Sequence, residues 1–352
     1  MTVPRHDQPM TGSPDLFAAA RLGDRWVVRC RLPDGSATDV VGWLAAIDRA
    51  TVQIAPERSD PVVVDRDVII LARRAPAARG GPDPMRTPVE ELERAARPGW
   101  IAHHEPLGEW TLRDGGGFTA RANSALAVGD PGVSLPEAAD RVVAYAAAHG
   151  IEPWVQVIVD SAEDIALRGL GWQPVYLVTD VLVCRLTTLL GDGLPDPRVG
   201  VTEQLSEGWV RAYGRSRPNR LHQADLRTDA GYRTDGAAVR MILDGHPPRA
   251  FAAVADPSPG AHAAEAAHEP VAIARGHLSG PWLGIAAVWT EPEHRRRGLA
   301  TAMMRALGHW AARGGARNAY LQVAQDNHAA HDAYGRLGFV RHHSYRYLTD
   351  PG

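Results

Sequence analysis

The chain has 352 residues, of which 45% are hydrophobic, and it carries a formal net charge of −3. This length predicts two or three domains, each large enough to bury a core. The charge gives no general reason to bind nucleic acid or an acidic membrane. The uncharged apolar runs are far shorter than a membrane span, and the N-terminus lacks the apolar segment of a signal peptide.

The cysteines and the lack of lysine indicate the environment of the protein and which modifications it can carry. Cys30 and Cys184 fall in different predicted domains, so no disulfide framework is expected and a reduced, cytoplasmic environment fits best. All 38 basic residues are arginines, so the chain offers no lysine of its own for modification.

The N-terminal part predicts a flexible arm followed by a small β domain. Residues 1–22 are polar and contain prolines. Residues 23–76 hold four or five short apolar runs separated by Gly, Pro and Asp, which is typical of an SH3-like β-barrel. Such a barrel more often docks a partner than catalyses a reaction. Arg25, Arg29 and Arg31 on its strands suggest contact with nucleic acid, but neighbouring aspartates oppose this.

A linker over 73–84 leads into a region of mixed helices and strands. Within it, residues 108–128 (GEWTLRDGGGFTARANSALAV) predict two strands around an Asp-Gly-Gly turn. The other predicted elements are a helix over 88–96, a helix from about 136 to 150, a strand over 154–159, a short helix and a strand over 176–184.

A break at 191–197 precedes the last region. Its predicted elements are helices over 207–213 and 237–243, strands over 250–254, 271–278 and 284–290, a helix from Gly298, a strand over 319–324, a helix over 327–337 and a strand over 342–348. Residues 255–270 are rich in Pro, Ala and Gly and predict a loop.

Two segments of the chain resemble each other. Residues 155–172 read VQVIVDSAEDIALRGLGW, and residues 321–339 read LQVAQDNHAAHDAYGRLGF. With one gap they agree in the strand, in the acidic turn and in the Leu-Gly-aromatic end. This repeat predicts two copies of one fold, although two unrelated β-α-β units can also agree by chance.

Residues 294–310 (HRRRGLATAMMRALGHW) place three arginines and a glycine directly before an amphipathic helix. Leu299, Met303 and Leu307 fall on one helical stripe, so the helix begins close to Gly298 and the arginines stand at its positive end. Like charges at that end need an anion, which predicts a phosphate or pyrophosphate bound by main-chain N–H groups. A solvated basic cap is the simpler alternative. A nucleic-acid patch has less support, because no aromatic residues interleave.

Two motifs in this region resemble those of the GCN5-related N-acetyltransferase (GNAT) superfamily. Arg295-x-x-Gly298-x-Ala300, after a strand ending VWTEPEH, resembles that family's acetyl-CoA signature. LQVAQDNHAAHDAYGRLGF resembles its closing motif, in which Asn327 is followed by Tyr334 and then by Gly-Phe. The resemblance covers roughly residues 200–350.

The resemblance implies an α+β fold, in which a mixed, splayed β-sheet is flanked by helices. Residues 200–350 would form a catalytic GNAT domain, and the repeat makes residues 96–190 a degenerate GNAT-like domain in tandem with it. With the preceding SH3-like barrel, this arrangement resembles actinobacterial acetyltransferases that carry an N-terminal SH3-like domain.

The resemblance also implies a site for acetyl-CoA as the acyl-donor substrate, without a metal. Amides at the helix start would hold the pyrophosphate. The preceding strand would pair with the pantetheine arm and donate to the thioester carbonyl, and Asn327 would contact the arm. The residues so implied are Val288, Trp289, Thr290, Arg295, Arg296, Arg297, Gly298, Leu299, Ala300, Thr301 and Asn327.

Tyr334 is the implied catalytic residue. It would face the sulfur and protonate the departing thiolate, which is feasible because a free thiol has a pKa of about 8.5 and a phenol about 10; the alternative is a core aromatic. The base is left open, because Gln322 stands where some members carry glutamate, and an amide cannot accept the proton. The remaining candidates are Glu203, His277, Glu291, His294 and a chain of water.

The first copy lacks both the anion-binding turn and the catalytic tyrosine. Leu167 stands where Tyr334 stands in the second copy, and no arginine-glycine turn precedes its helix. We expect it to pack against the catalytic copy, to shape the acceptor cleft, or both. Its FTARANSA segment, with Arg121, Asn123 and Ser124, predicts a strand whose polar face either meets only solvent or faces the acceptor.

The expected function is transfer of an acetyl group from acetyl-CoA to a primary amine: a protein lysine, a protein N-terminus or a small molecule. The resemblance implies a direct attack within a ternary complex, and neither cysteine lies near the motifs to suggest an acyl-enzyme. Two alternatives are a catalytically weak acetyl-CoA sensor and an adaptor that acts through the barrel. No membrane or nucleic-acid partner is expected. The acceptor, the acyl length and the oligomeric state, a dimer included, are left open.

Overall fold

The computed structural model of the chain describes residues 16–17, 20, 24–56, 60–75, 83–191, 195–216, 236–255, 269–350 and 352. The chain divides into two compact units, Met1–Arg79 and Gly80–Gly352. Of the helices in these described ranges, none is long and apolar enough to cross a membrane. Most of the loop predicted over 255–270, and part of the linker predicted over 73–84, lie outside the described residues.

The first unit is an antiparallel β-sheet. Its strands are β1 (Arg25–Arg31), β2 (Ala37–Ile47), β3 (Thr51–Pro56), β4 (Val62–Asp65) and β5 (Ile69–Arg74). They pair in the order β4-β3-β2-β1-β5. Alternate residues point to one face, so that Trp26, Val28, Leu44 and Ile54 meet in a core. The alternating apolar pattern in the sequence is what predicts these strands.

Two details differ from the predicted arm and barrel. Phe17, inside the predicted arm 1–22, is buried with its ring centroid 4.9 Å from that of Trp26. An aromatic ring gains about 2 kcal/mol from such burial, which explains why this part of the arm packs; most of the rest lies outside the described residues. Within the described part of this unit, the edge strands β4 and β5 do not pair, so no closed barrel is seen.

The second unit mixes helices and strands. Its helices are α1 (Val89–Ala96), α2 (Leu135–His149), α3 (Ala162–Gly169), α4 (Leu186–Leu190), α5 (Glu207–Arg215), α6 (Gly236–Leu243), α7 (Leu299–Arg313) and α8 (His328–Gly335). Its strands are β6 (His103–Leu107), β7 (Trp110–Asp114), β8 (Ala125–Leu126), β9 (Trp154–Ile158), β10 (Gln173–Arg185), β11 (Val199–Thr202), β12 (Arg249–Ala255), β13 (Pro270–Ser279), β14 (Trp282–Thr290), β15 (Asn318–Ala324) and β16 (Val340–Thr349).

The described strands of this unit form one continuous sheet, in the order β11-β12-β13-β14-β15-β10-β16-β9-β8-β7-β6. Strand β10 lies between β15 and β16, and β16 lies between β10 and β9, all antiparallel. Outside them are two parallel pairs, β14 with β15 and β8 with β9, connected by α7 and α2 respectively. Each of the regions 96–190 and 200–350 therefore inserts its last strand between strands of the other.

The two strands predicted in 108–128 are present as β7 and β8, which pair antiparallel through Thr111 opposite Leu126. They are not joined by a tight Asp-Gly-Gly turn, and the main partner of β7 is β6, which the sequence pattern did not predict. The intervening segment contains a short 3-10 turn over Ala120–Ala122. The carboxamide oxygen of Asn123 accepts hydrogen bonds from the amides of Gly115 and Gly117, which folds the glycine run back on itself.

The exchanged strands give a prediction about folding. A fragment of residues 80–190 should be unfolded, because β10 then loses both neighbours and Val181 and Val183 lose a shared aromatic core with Tyr320 and Tyr345. Far-UV circular dichroism and amide NMR spectra of the fragment check this, with residues 80–352 as the folded control. A dispersed spectrum from the fragment alone would contradict it.

Candidate functional site

Strands β14 and β15 separate in the middle of the sheet. They pair in parallel only from Trp282 opposite Asn318 to Ile285 opposite Leu321. Beyond that point β14 carries a β-bulge, with Ala287 at φ 52°, and follows β13 alone. The main chain of residues 286–290 thus presents an edge with no strand partner in the described ranges on its β15 side, and such an edge can accept an extended ligand as an added strand. We call this opening the strand gap.

Helix α7 begins beside the strand gap. Gly298 is its N-cap in the left-handed region at φ 75°, and Arg296 also has a positive φ of 60°. The main-chain N–H groups of residues 296–301 have no acceptor among the described residues. Nothing lies within 4 Å of where a Cβ on Gly298 would stand. Exposed N–H groups at the positive end of a helix dipole form an anion site.

The three arginines of the turn differ in their contacts. Arg295 donates from Nε to the carbonyl of Thr290 at 3.1 Å, and Arg297 donates to the carbonyl of Glu293 at 3.2 Å. Arg295 thus fastens the turn to the end of β14, and Arg297 closes the turn on itself. Arg296 is exposed and makes no hydrogen bond or ion pair within the described part of the chain, so its guanidinium is available to a ligand.

A single hydrophobic core supports both the strands beside the strand gap and helix α7. The stripe of α7, including Leu299, Met303 and Leu307, packs against β12 to β15. Val288 of β14 and Tyr334 of α8 border the same core and are partly buried. The sequence-predicted residues of β14, of the turn and of α8 are thereby brought to one region of the molecule.

Helix α8 carries two predicted site residues. Asn327 is its N-cap, and its side-chain oxygen accepts a hydrogen bond from the amide of Ala330 at 3.2 Å. Asn327 thus has a capping role whether or not it also contacts a ligand. Tyr334 lies in the last turn, with its ring centroid 6.1 Å from that of Phe339.

The candidate bases are not equally suited to their role. Burial, with Arg275 as the next cause, lowers the pKa of His277 to about 3, which is too low to take a proton from an ammonium group. Glu203 accepts from the indole N–H of Trp310, on the far part of α7, and Glu291 faces Arg215 at 3.5 Å. His294 lies in the turn before the arginines and is partly exposed.

A small cavity lies on the other face of the sheet. Along β15, Leu321 and Val323 belong to the core under α7, so the intervening Gln322 points to the opposite face, where it lines this cavity. The other polar lining residues are Glu93, Arg97, Arg113, Arg121 and Gln156. We call this the arginine cavity.

Sequence reasoning missed most of the arginine cavity. The sequence predicts Arg121 on a strand whose polar face meets solvent or the acceptor, but Arg121 belongs to the 3-10 turn that lines the cavity. Asn123 and Ser124 of the same segment are buried and hold structure rather than face an opening. No local signal marked the cavity, because residues 94–121 are hardly richer in arginine than the rest of the chain and nothing links them to Gln322.

Hydrogen bonds fix the walls of the cavity. Glu93 is 2% exposed, and its carboxylate meets Nε2 of His343 at 2.7 Å and accepts from the side-chain amide of Gln156 at 2.9 Å. The carboxamide oxygen of Gln156 in turn accepts from Nη2 of Arg113 at 2.9 Å, and Arg113 also donates to the carbonyl and hydroxyl oxygens of Ser124. This network joins α1, β7, β9 and β16.

Comparisons with known proteins agree with this geometry. The family model described as "Probable histone acetyltransferase Rv0428c C-terminal" matches residues 87–348. An "Uncharacterized N-acetyltransferase YobR" of Bacillus subtilis (strain 168) is 38% identical over 65 residues, which make up 18% of this chain and 26% of that protein. The chain thus spans about a quarter of the length of this relative.

Solved structures similar to the chain include two GNAT proteins. A GCN5-related N-acetyltransferase from Kribbella flavida has a TM-score of 0.48 and 19% identity, over 75% of this chain and 93% of that one. A tandem GNAT protein from the clavulanic acid biosynthesis pathway has a TM-score of 0.46 and 14% identity, over 64% and 74%. Because the family model matches well over half of the chain, the protein belongs to the acetyltransferase family that this model describes.

Proposed function

We propose that the protein transfers an acetyl group from acetyl-CoA to a primary amine. The observation that carries the proposal is the joint presence of the strand gap and the unpaired N–H groups of residues 296–301 at its end. Both fit the donor: a peptide-like arm suits an open strand edge, and a diphosphate suits a bare helix start. Arg296, exposed and unpartnered in the described ranges, adds a cation at the same place.

Different residues would contact different parts of acetyl-CoA. The amides from Arg296 to Thr301, with the open position at Gly298, hold the diphosphate, while Arg295 and Arg297 keep the turn in shape. The main chain of Val288, Trp289 and Thr290 pairs with the pantetheine arm, and Leu299 and Ala300 keep the helix start close to the strand. Asn327 caps α8 and so positions Tyr334.

The transfer itself is a direct attack. The amine nitrogen forms a bond to the thioester carbon, the carbon–sulfur bond breaks, and the sulfur leaves as a thiolate. Tyr334 donates its hydroxyl proton to that sulfur, and the nitrogen loses its extra proton to a base or water. An acyl-cysteine has no support, because burial raises the pKa of the Cys184 thiol to about 12.

We also propose that the second unit contains two GNAT-like copies, with domain limits near 96–190 and 200–350. The support is the sheet order, in which a parallel pair joined by one helix appears on each side of the exchanged strands. The first copy would be non-catalytic. Its helix α2 starts at Ser134 with proline and glutamate in the first turn, and its Leu167 is fully buried.

The remaining features extend the proposal. We assign the donor as acetyl-CoA without a metal, in a cytoplasmic setting, and the five strands of residues 25–74 as an SH3-like domain that docks a partner. A protein amine and a small-molecule amine are both compatible with the strand gap, and so is assembly as a dimer.

Turnover with a panel of amines tests the proposal. Release of free CoA from acetyl-CoA should depend on the added amine, and mass spectrometry should find one acetyl group on that amine. Propionyl-CoA and butyryl-CoA in parallel reactions define the acyl length. Binding of acetyl-CoA without turnover on any amine would favour the sensor alternative, and absence of binding would exclude the proposal.

A further inference from the structure

We propose that the arginine cavity binds a carboxylate carried by the acceptor, so that the preferred substrate is a small amine bearing a carboxylate group. This inference rests on the proposed acetyl transfer and names its acceptor class. It is carried by the charges, free donors, position and size of the cavity.

The charges in the cavity are not balanced by the protein. Arg97, Arg113 and Arg121 line it, together with the single carboxylate of Glu93 among the described lining residues. That carboxylate is occupied by Gln156 and His343, and no arginine of the described chain lies within salt-bridge distance of it. A buried guanidinium without a carboxylate partner is costly, and an anionic ligand removes that cost.

Arg113 illustrates the imbalance most directly. It is 2% exposed and donates only to neutral oxygens, those of Ser124 and Gln156. Burial lowers the pKa of Arg113, because desolvation disfavours its charged form. An anion in the cavity would favour the charge that burial opposes.

Arg121 supplies free donors. Its Nε donates to the hydroxyl of Tyr345 at 2.7 Å, and its guanidinium lies 5.3 Å from the centroid of the Trp100 ring. These contacts fix the plane of the guanidinium, while its two terminal nitrogens make no hydrogen bond to any described residue. Terminal nitrogens held in this way are suited to a carboxylate.

The cavity lies beside the strand gap, in which the proposed donor would bind. Gln322 is the first residue of β15 after the last parallel pair with β14, so it stands at the vertex of the strand gap and on the wall of the cavity. The diphosphate turn and α7 lie on the other face of the sheet. An acceptor held by Arg121 and Arg113 can thus extend its amine past Gln322 toward the gap.

The size and charge of the cavity favour a small acceptor. The enclosed space between the lining side chains is about 10 Å³, enough for one water-sized group, and it opens to solvent at its mouth. A single carboxylate could occupy this space while the rest of a small acceptor lies in the mouth, whereas a folded protein surface could not enter. A lysine-rich peptide is cationic and would be repelled by the arginines.

Matched amines test the inference. CoA release is measured with 4-aminobutyrate against butylamine, with 2-aminoethyl phosphate against ethylamine, and with a lysine-rich peptide. We expect kcat/KM for 4-aminobutyrate to exceed that for butylamine by about tenfold or more, as for a charge-assisted contact. Butyrate, which has no amine, should inhibit competitively with the acceptor.

Three variants complete the test. Arg121→Gln should remove the preference for 4-aminobutyrate and the inhibition by butyrate, and Arg121→Lys should retain part of both. If Arg121→Gln folds poorly, the same preference is measured in Arg97→Gln. Arg97 is half-buried and makes one hydrogen bond, to Thr111. Arg141→Gln, on the exposed face of α2, is the matched control and should preserve the preference.

The outcomes separate the two proposals. If amines are acetylated but 4-aminobutyrate and butylamine react equally, or if the peptide is preferred, the carboxylate site is wrong and the acetyl transfer stands. If only 2-aminoethyl phosphate is preferred over its matched amine, the cavity binds phosphate rather than carboxylate. The proposed acceptor class, a small amine with a carboxylate, is then wrong. If no amine is acetylated, butyrate binding measured by calorimetry on the wild type and Arg121→Gln still decides whether the cavity takes a carboxylate.

Discussion

Replacing Tyr334 with phenylalanine should lower kcat for acetyl transfer on the order of 100-fold, as expected for loss of a general acid. The variant keeps the ring that packs beside Phe339 and removes only the hydroxyl, so α8 and the core under it should be unchanged. The affinity for acetyl-CoA should stay within about twofold, because in the proposed site main-chain groups in the strand gap and the turn hold the donor. Steady-state kinetics and calorimetry measure the two quantities.

Tyr145→Phe is the matched control for this variant. Tyr145 lies on α2, within residues 96–190, and loses the same hydroxyl away from the strand gap. Its kcat should equal that of the wild type. An unchanged kcat in Tyr334→Phe would remove Tyr334 from the chemistry, and the thiolate would then leave without a proton from the protein.

Replacing Gly298 with valine should weaken acetyl-CoA binding by about 100-fold, the equivalent of losing one or two charge-assisted hydrogen bonds. Gly298 adopts φ 75°, where a β-branched residue is strained by roughly 1–2 kcal/mol. Apart from its chain neighbours and the backbone of its own helix, no described residue has an atom within 4 Å of the added Cβ, so the described fold has room for the substitution. The added side chain would instead stand where we expect the diphosphate to approach the N–H groups.

The control for Gly298→Val is Gly150→Val. Gly150 ends α2 in the left-handed region at φ 65° and also has open space around it. Both variants should lose similar thermal stability, since both carry the same backbone strain, but only Gly298→Val should lose affinity. Equal affinity in the two variants would show that the helix start does not hold the donor.

The helix start could be predicted because its signal is local. The stripe Leu299, Met303 and Leu307 repeats at helical period, and Gly298 directly precedes it, so one short segment contains both the helix and its cap. The strands near 270–290 were predicted for the same reason. Strand β6 was not, because four of its five residues are exposed and no alternation marks it.

The arginine cavity could not be predicted because its signal is not local. Glu93, Arg121 and Gln322 lie on α1, on the 3-10 turn before β8 and on β15, and they meet only because β10 and β16 are exchanged. From the order of elements in the sequence, β10 would be expected to pair with another strand of residues 96–190. In the sheet it lies instead between β15 and β16. The partner of each strand is determined by tertiary packing, and the contents of the cavity follow from it.

The central claim is that the turn at Gly298 holds a diphosphate, and comparison of two donors by calorimetry tests it most directly. Acetyl-CoA and S-acetylpantetheine share the thioester and the arm, but only acetyl-CoA carries the diphosphate and the adenosine 3′-phosphate attached to it, so the Gly298→Val variant assigns the difference to the turn. We predict that acetyl-CoA binds at least about 100-fold more tightly, and that Gly298→Val removes most of the difference. Equal affinity of the two donors, or no heat of binding with acetyl-CoA, would contradict the account.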